Sequence, residues 1–163
     1  MVKHSGTHRY SMKELEKGGE FLVKAKASNV PVKFKNLVEV SNAIRNMTTT
    51  RAYAYLLNVL AKKECIPARK FKSGIGRCAQ AKQFQTVIGR WPRNAVKCMI
   101  DLLKNASANC EFLGKDPVDY YVHHVQASQA PTSTRRTYRA HGRINPYMRH
   151  NCHLQVILKQ KGQ

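Results

Sequence analysis

The sequence predicts an α+β fold, and two patterns carry that prediction. Three stretches repeat their apolar residues at helical spacing, and three shorter runs have the alternation or composition of strands. The chain's 163 residues hold one domain with a real core and an extension, whereas two full domains would be cramped.

The elements follow in order. Residues 1–29 form an N-terminal extension divided by Gly18-Gly19, with Glu14, Glu16 and Glu20 clustered and room for a short helix near residues 11–17. Val30, Val32 and Phe34 alternate with Pro31, Lys33 and Lys35, which predicts a half-buried first strand. Asn36 then offers an N-cap, with Glu39 three residues on as its capping-box partner. Leu37, Val40, Ala43, Ile44 and Met47 give a helix over residues 37–47 one buried stripe. Thr48, Thr49 and Thr50 can cap a second helix over residues 51–63. There Ala52, Leu56, Val59 and Leu60 share a side, and Tyr53, Tyr55 and Leu57 broaden the apolar surface. Pro92 fits the first turn of a third helix, whose missing N–H would have no partner anyway. Ala95, Val96, Met99, Ile100, Leu103 and Ala106 mark its buried face, and it should fade between Asn109 and Gly114. Residues 118–127, rich in Tyr, Val and His, and the alternating Cys152, Leu154, Val156 and Leu158 supply two more strands. The connection between them, residues 128–151, is too long for an ordinary hairpin turn, and connections of that length are usually functional.

Charge points to the partner. With 29 Lys and Arg against nine Asp and Glu, the formal charge is +20. Self-repulsion on that scale opposes a compact isolated state, so a polyanion is the natural compensation. Nucleic acid supplies a dense row of phosphates and gains affinity through counterion release. No stretch approaches the ~20 apolar residues of a membrane span, and the polar, basic start of the chain does not read as a signal peptide.

Two basic regions stand out. Residues 65–91 form a loop punctuated by Pro67, Gly74, Gly76 and Gly89, with Arg69, Lys70, Lys72, Arg77, Lys82 and Arg90 and no acid. After Asp119 the chain has no Asp or Glu at all, and Arg135, Arg136, Arg139, Arg143 and Arg149 are interleaved with Tyr138, His141 and Tyr147. Arginine grips phosphate through a planar fork, and aromatic rings stack on unpaired bases. A solvated charge run would more often be lysine-rich, and Gly142 and Pro146 shape this one.

Catalytic readings lack support. The acids are scattered with no pair that must share a pocket, and there is no GxxxxGK[ST] loop or GxSxG elbow. The five cysteines form no CxxC pair, which suits free thiols in a reducing compartment. A zinc site drawn from Cys65, Cys78, His141, Cys152 and His153 matches no common ligand spacing. His123-His124 with Cys152 would require adjacent strand residues to face the same way. We therefore expect no enzyme, metal or cofactor.

The run Thr134-Arg135-Arg136-Thr137-Tyr138-Arg139-Ala140-His141-Gly142-Arg143-Ile144-Asn145-Pro146-Tyr147-Met148 closely resembles the signature of the universal large-subunit ribosomal protein twenty-two family. In eukaryotic naming this is large-subunit protein seventeen. Val32 to Met47, Gly76-Arg77-Cys78-Ala79-Gln80-Ala81-Lys82-Gln83, Gly89-Arg90-Trp91-Pro92 and Leu102-Leu103-Lys104-Asn105-Ala106 also resemble the family, in the family's order. The resemblance implies three helices on a small three-stranded antiparallel sheet, with residues of about 118–159 forming a long extended β-hairpin within a single domain of residues 30–163. It also implies a structural, non-catalytic protein of the cytosolic large subunit, not a homo-oligomer, that passes through the nucleolus during assembly. Its partners would be large-subunit ribosomal RNA, neighbouring proteins including large-subunit protein four, and the nascent polypeptide. Trp91 and Asn145 join the expected RNA contacts. Ser128, Gln129, Ala130, Pro131, Thr132, Ser133 and Thr134, small and polar where basic residues are common in the family, are expected to form the hairpin tip that lines the exit tunnel. The alternative is an RNA-binding regulator working outside the ribosome.

Overall fold

The computed structural model describes residues 22–161. The helix considered near residues 11–17 lies outside them. Five strands and three α-helices follow in the order β1 (Leu22–Val30), α1 (Phe34–Ile44), α2 (Thr49–Leu60), β2 (Ile66–Pro67), β3 (Gly89–Arg90), α3 (Arg93–Phe112), β4 (Tyr120–Tyr138) and β5 (Ile144–Gln160). The main sheet is antiparallel with order β1-β5-β4, and β2 pairs with β3 in a small second ladder. This is the predicted α+β class.

β5 takes the centre, and its inner half is the most deeply buried part of the sheet. Cys152, Leu154, Val156 and Leu158 turn one face towards the helices and are fully buried, joined by Val23 and Ala25 of β1 and Tyr120, Val122 and Val125 of β4. One extra residue in β4, between Val122 and His124, forms a bulge. It lets Val122 and Val125 both point inward although they are three residues apart. Across the layer, Leu37, Val40 and Ile44 of α1, Ala52, Tyr55, Leu56 and Val59 of α2, and Ala95, Val96, Met99, Leu103 and Ala106 of α3 complete the core. Thr48 caps α2 as expected, accepting from the Arg51 amide at 3.2 Å. The α1–α2 connection covers the outer edge of β4: the Asn46 amide donates to Val122, whose own amide donates to Met47.

Three expectations are corrected. The first strand is Leu22–Val30 and so includes residues assigned to the extension, while Phe34 already opens α1. Its inward residues Val23 and Ala25 alternate with Lys24 and Lys26. The Val30-Val32-Phe34 alternation came from a turn and a helix start that both pack on the core. Second, no capping box forms: Lys33 is the N-cap, without a side-chain bond, and Glu39 is buried and directed elsewhere. Third, Ser128 to Thr134 are not the tip of the hairpin. They pair along its length, from Ser128 opposite His153 to Thr134 opposite Met148. A one-residue bulge between Gln129 and Thr132 accommodates Pro131, which has no N–H to give a regular ladder. The chain reverses only at Ala140–Gly142. His141 and Gly142 both have positive φ, 57° and 70°, as a tight hairpin turn requires, and the Arg139 amide closes it on Arg143 at 2.8 Å.

Candidate nucleic-acid interface

Beyond Gln129 and Cys152 the hairpin leaves the sheet as a two-stranded arm, from Thr132 opposite His150 to Tyr138 opposite Ile144. Nearly all of its side chains are exposed, including Arg135, Arg136, Tyr138, Arg139, His141, Arg143, Asn145, Tyr147 and Arg149. Pro146 sits on β5 past the reach of β1, where that edge of the strand has no neighbour requiring a donor.

The basic loop is ordered by its own contacts. Tyr55 Oη donates to the Cys65 carbonyl at 2.7 Å, and burial is the main reason its pKa is raised. Gln80 links the loop in two directions: its side-chain amide donates to Lys62 O at 2.7 Å, and its oxygen accepts from Trp91 Nε1 at 3.1 Å. Trp91 is half-buried against the core with its N–H engaged within the protein, so it serves the loop's shape. Arg90 donates to Gly74 O at 2.8 Å and Arg69 to Phe84 O at 3.3 Å. Lys70, Lys72, Arg77 and Lys82 are exposed.

Packing joins these two regions, which are far apart in sequence. A cleft of about 370 Å³ is lined by Lys35, Lys70, Lys72 and Arg90, together with Asn36 and Pro92. A second, of about 610 Å³, lies at the root of the arm and is lined by Lys33, Arg93, Tyr147, Arg149 and His150, and again by Asn36 and Pro92. The two therefore adjoin along the starts of α1 and α3. The first intrahelical bonds there come from Leu37 and Val96, so the amides of residues 34–36 and 93–95 have no partner within their helices. Neither first turn has an acid, and both have cations instead. Partial positive charge at a helix start normally attracts acidic side chains. Cations there add to it, and the joined clefts form a basic trough suited to phosphates. Arg69, Arg77, Lys82 and the outer arm lie outside this trough.

Lys33, Lys35 and Arg93 were missed in the sequence, where charge runs drew attention. For Arg93 the available signal was a cation just after the Pro92 helix start, where Asp or Glu is usual; Lys33 and Lys35 fall on the expected first strand, so their position at a helix start gave no signal.

Cys65, Cys98, Cys110 and Cys152 pack into or against the core. Burial is the first cause raising the pKa of Cys65, to about 12, and also of Cys98, Cys110 and Cys152, so these thiols stay protonated at neutral pH. Cys152 Sγ lies 3.1 Å from Val32 O as a buried donor. Among the described residues no three His, Cys, Asp or Glu side chains converge as a metal site would need. The histidines of the β4 bulge have contacts of their own: His123 meets the Tyr121 ring edge-on at 5.9 Å, and burial is the main cause lowering the His124 pKa.

A small α+β core that extends an acid-free basic arm has the build of a ribosomal protein. The chain belongs to the ribosomal protein L22p/L17e family, whose model matches residues 25–159. It is 52% identical over 137 residues to the large ribosomal subunit protein uL22 of Biphyllus lunatus, covering 84% of this chain and 76% of that protein. It is 49% identical over 138 residues to that of Phlebotomus papatasi, covering 85% and 74%. The same coverage holds for Lonomia obliqua, at 51% identity over 138 residues. The resemblance drawn from residues 134–148 is therefore borne out, and the family is a structural one without catalytic activity.

Proposed function

We propose that this ribosomal protein anchors large-subunit ribosomal RNA along the trough between the basic loop and the arm root, and that its arm reaches on into the subunit. The observation that carries this reading is the joining of two basic clefts at Asn36 and Pro92, beside an arm without a carboxylate. Phosphates fit the trough because they satisfy helix-start amides and cations together. Arm contacts come from Arg135, Arg136, Arg139, Arg143, Arg149 and the interleaved rings. Large-subunit protein four and the nascent polypeptide are the expected neighbours of the tip, and nucleolar passage accompanies assembly. The reversal at Ala140–Gly142 now takes over the tunnel-lining role expected of residues 128–134.

Ultraviolet cross-linking of native large subunits tests the RNA surface. RNA adducts are expected on Lys33, Lys35, Arg93 and Arg149, and adducts confined to exposed α3 cations such as Lys97 and Lys104 would overturn it. A photoreactive side chain at position 141 should label a stalled nascent chain, and one at 129 should not. The reverse pattern would return the tunnel wall to the middle of the hairpin.

A further inference from the structure

Glu39 lies in a wall of the basic trough, where a carboxylate should repel the phosphates proposed to bind there. It is only 6% exposed, and three consecutive loop amides converge on it. One carboxylate oxygen accepts from the Arg69 amide at 3.0 Å, the other from those of Lys70 at 2.9 Å and Phe71 at 2.6 Å. A run of successive N–H groups is an anion-binding nest, and here the protein fills it with its own anion. The loop is fastened to α1 a second time where the Phe71 ring meets Phe34 edge-on at 6.4 Å. Lys35 and Lys70 approach the Phe71 ring at 5.5 and 5.8 Å.

Residues 69–72 carry three cations within four positions, and mutual repulsion opposes holding them in one shape. An internal carboxylate offsets that repulsion, and burial with its oxygens occupied withholds it from RNA.

We propose that Glu39 is a positioning residue for the RNA interface, fixing the backbone of residues 69–71 so that Lys70 and Lys72 are presented together to the trough. This rests on the reading of the trough as an RNA surface. It makes a prediction whose sign opposes simple electrostatics. Glu39→Gln raises the net charge by one, so charge alone predicts tighter RNA binding, whereas lost positioning predicts weaker binding.

The test measures binding of the full chain to protein-free large-subunit ribosomal RNA between roughly 50 and 200 mM salt. Wild type, Glu39→Gln, Glu39→Asp and the double variant Lys70→Ala/Lys72→Ala are compared, with amide exchange followed alongside. Glu39→Gln is expected to bind about five- to tenfold more weakly with a shallower salt slope. The Arg69, Lys70 and Phe71 amides should exchange faster while the core stays protected. Glu39→Asp keeps the charge but is one methylene too short to reach all three amides, so it too should bind more weakly. It also keeps the test valid if the Gln variant folds poorly. Unchanged or tighter binding by both Glu39 variants, with the lysine double variant weakened, would overturn the positioning role alone. An unaffected lysine double variant would overturn the RNA reading of this loop and the proposal with it.

Discussion

Arg135 and Tyr147 stand opposite each other across the arm, and directly paired residues of an antiparallel ribbon project to the same side. Ser133 with Arg149 and Thr137 with Asn145 share that face. The other face alternates with it and carries Thr134 with Met148, Arg136 with Pro146, and Tyr138 with Ile144. The arm thus has a hydrogen-bonding cationic face and a more apolar one, a division that the interleaving of arginines and rings along the sequence does not show. On the apolar side Tyr138 is 76% exposed, Met148 52% and Ile144 49%, a stripe that favours being covered.

This division yields a first prediction. Replacing Arg135 and Arg149 together with Ala should flatten the salt dependence of RNA binding by roughly two units of slope at most. Replacing Met148 and Ile144 with Ser should weaken binding and leave the slope unchanged, since no phosphate contact is lost. Equal slope changes in the two double variants would show that the faces are not chemically distinct.

What the sequence revealed follows from which patterns are local. The helices were legible because Leu37, Val40 and Ile44 or Val96, Met99 and Leu103 repeat at helical spacing and face one core. β5 was legible because Cys152, Leu154, Val156 and Leu158 alternate cleanly. The outer hairpin has polar or exposed side chains on both faces, so period-two alternation gave no register, and its length was legible only through the family resemblance. The reversal left only one cue, Gly142 in a left-handed conformation. Glu39 was read through the three-residue spacing of a capping box, but its partners lie thirty or more residues away. The trough was invisible for the same reason, because Lys33, Arg93 and Arg149 meet only through the packing of α1, α3 and the arm.

A second prediction concerns the arm as a separable part. No residue between 128 and 151 belongs to the core cluster. Replacing residues 130–151 with an Asn-Gly turn should therefore change stability by no more than about 1 kcal/mol in a denaturant titration. RNA affinity should fall in the same variant. Loss of dispersed NMR signals from α1 to α3 would mean that the arm supports the core.

Acid pH should act at the start of the basic loop. Glu64 accepts from Arg51 at 2.6 and 3.2 Å and from Asn58 at 2.8 Å. The Arg51 hydrogen bonds are the main cause holding its carboxyl below the usual range, against an opposing effect of burial. The folded state thus binds this proton less readily than the unfolded state. The stabilisation is complete above the unfolded value of about 4.3 and is lost as pH falls through the lower folded value. Arg51 is 48% exposed, so the effect should stay under about 1 kcal/mol. Chemical denaturation at neutral and acid pH should show wild type losing more stability than Glu64→Gln, and equal losses would assign the acid sensitivity to other groups.

The last prediction tests how closely β3 approaches the core. A Cβ added at Gly89 would lie 2.7 Å from Cys65 Sγ and 3.1 Å from Ile66 O, both nearer than real Cβ atoms comfortably come. Cys65 is fully buried, and Tyr55 Oη anchors its carbonyl at 2.7 Å, so the thiol has little freedom to withdraw. Gly89→Ala should therefore destabilise the protein by about 1–3 kcal/mol, the usual range for overpacking. Cys65→Ala removes the nearer atom and leaves the Ile66 carbonyl in place. The Cys65→Ala/Gly89→Ala double variant should then be more stable than the sum of the two single effects allows, by about 1 kcal/mol. Simple additivity in denaturant titrations would place the strain at the Ile66 backbone, and the pairing of Pro67 with Gly89 rather than the thiol would then set the demand for glycine.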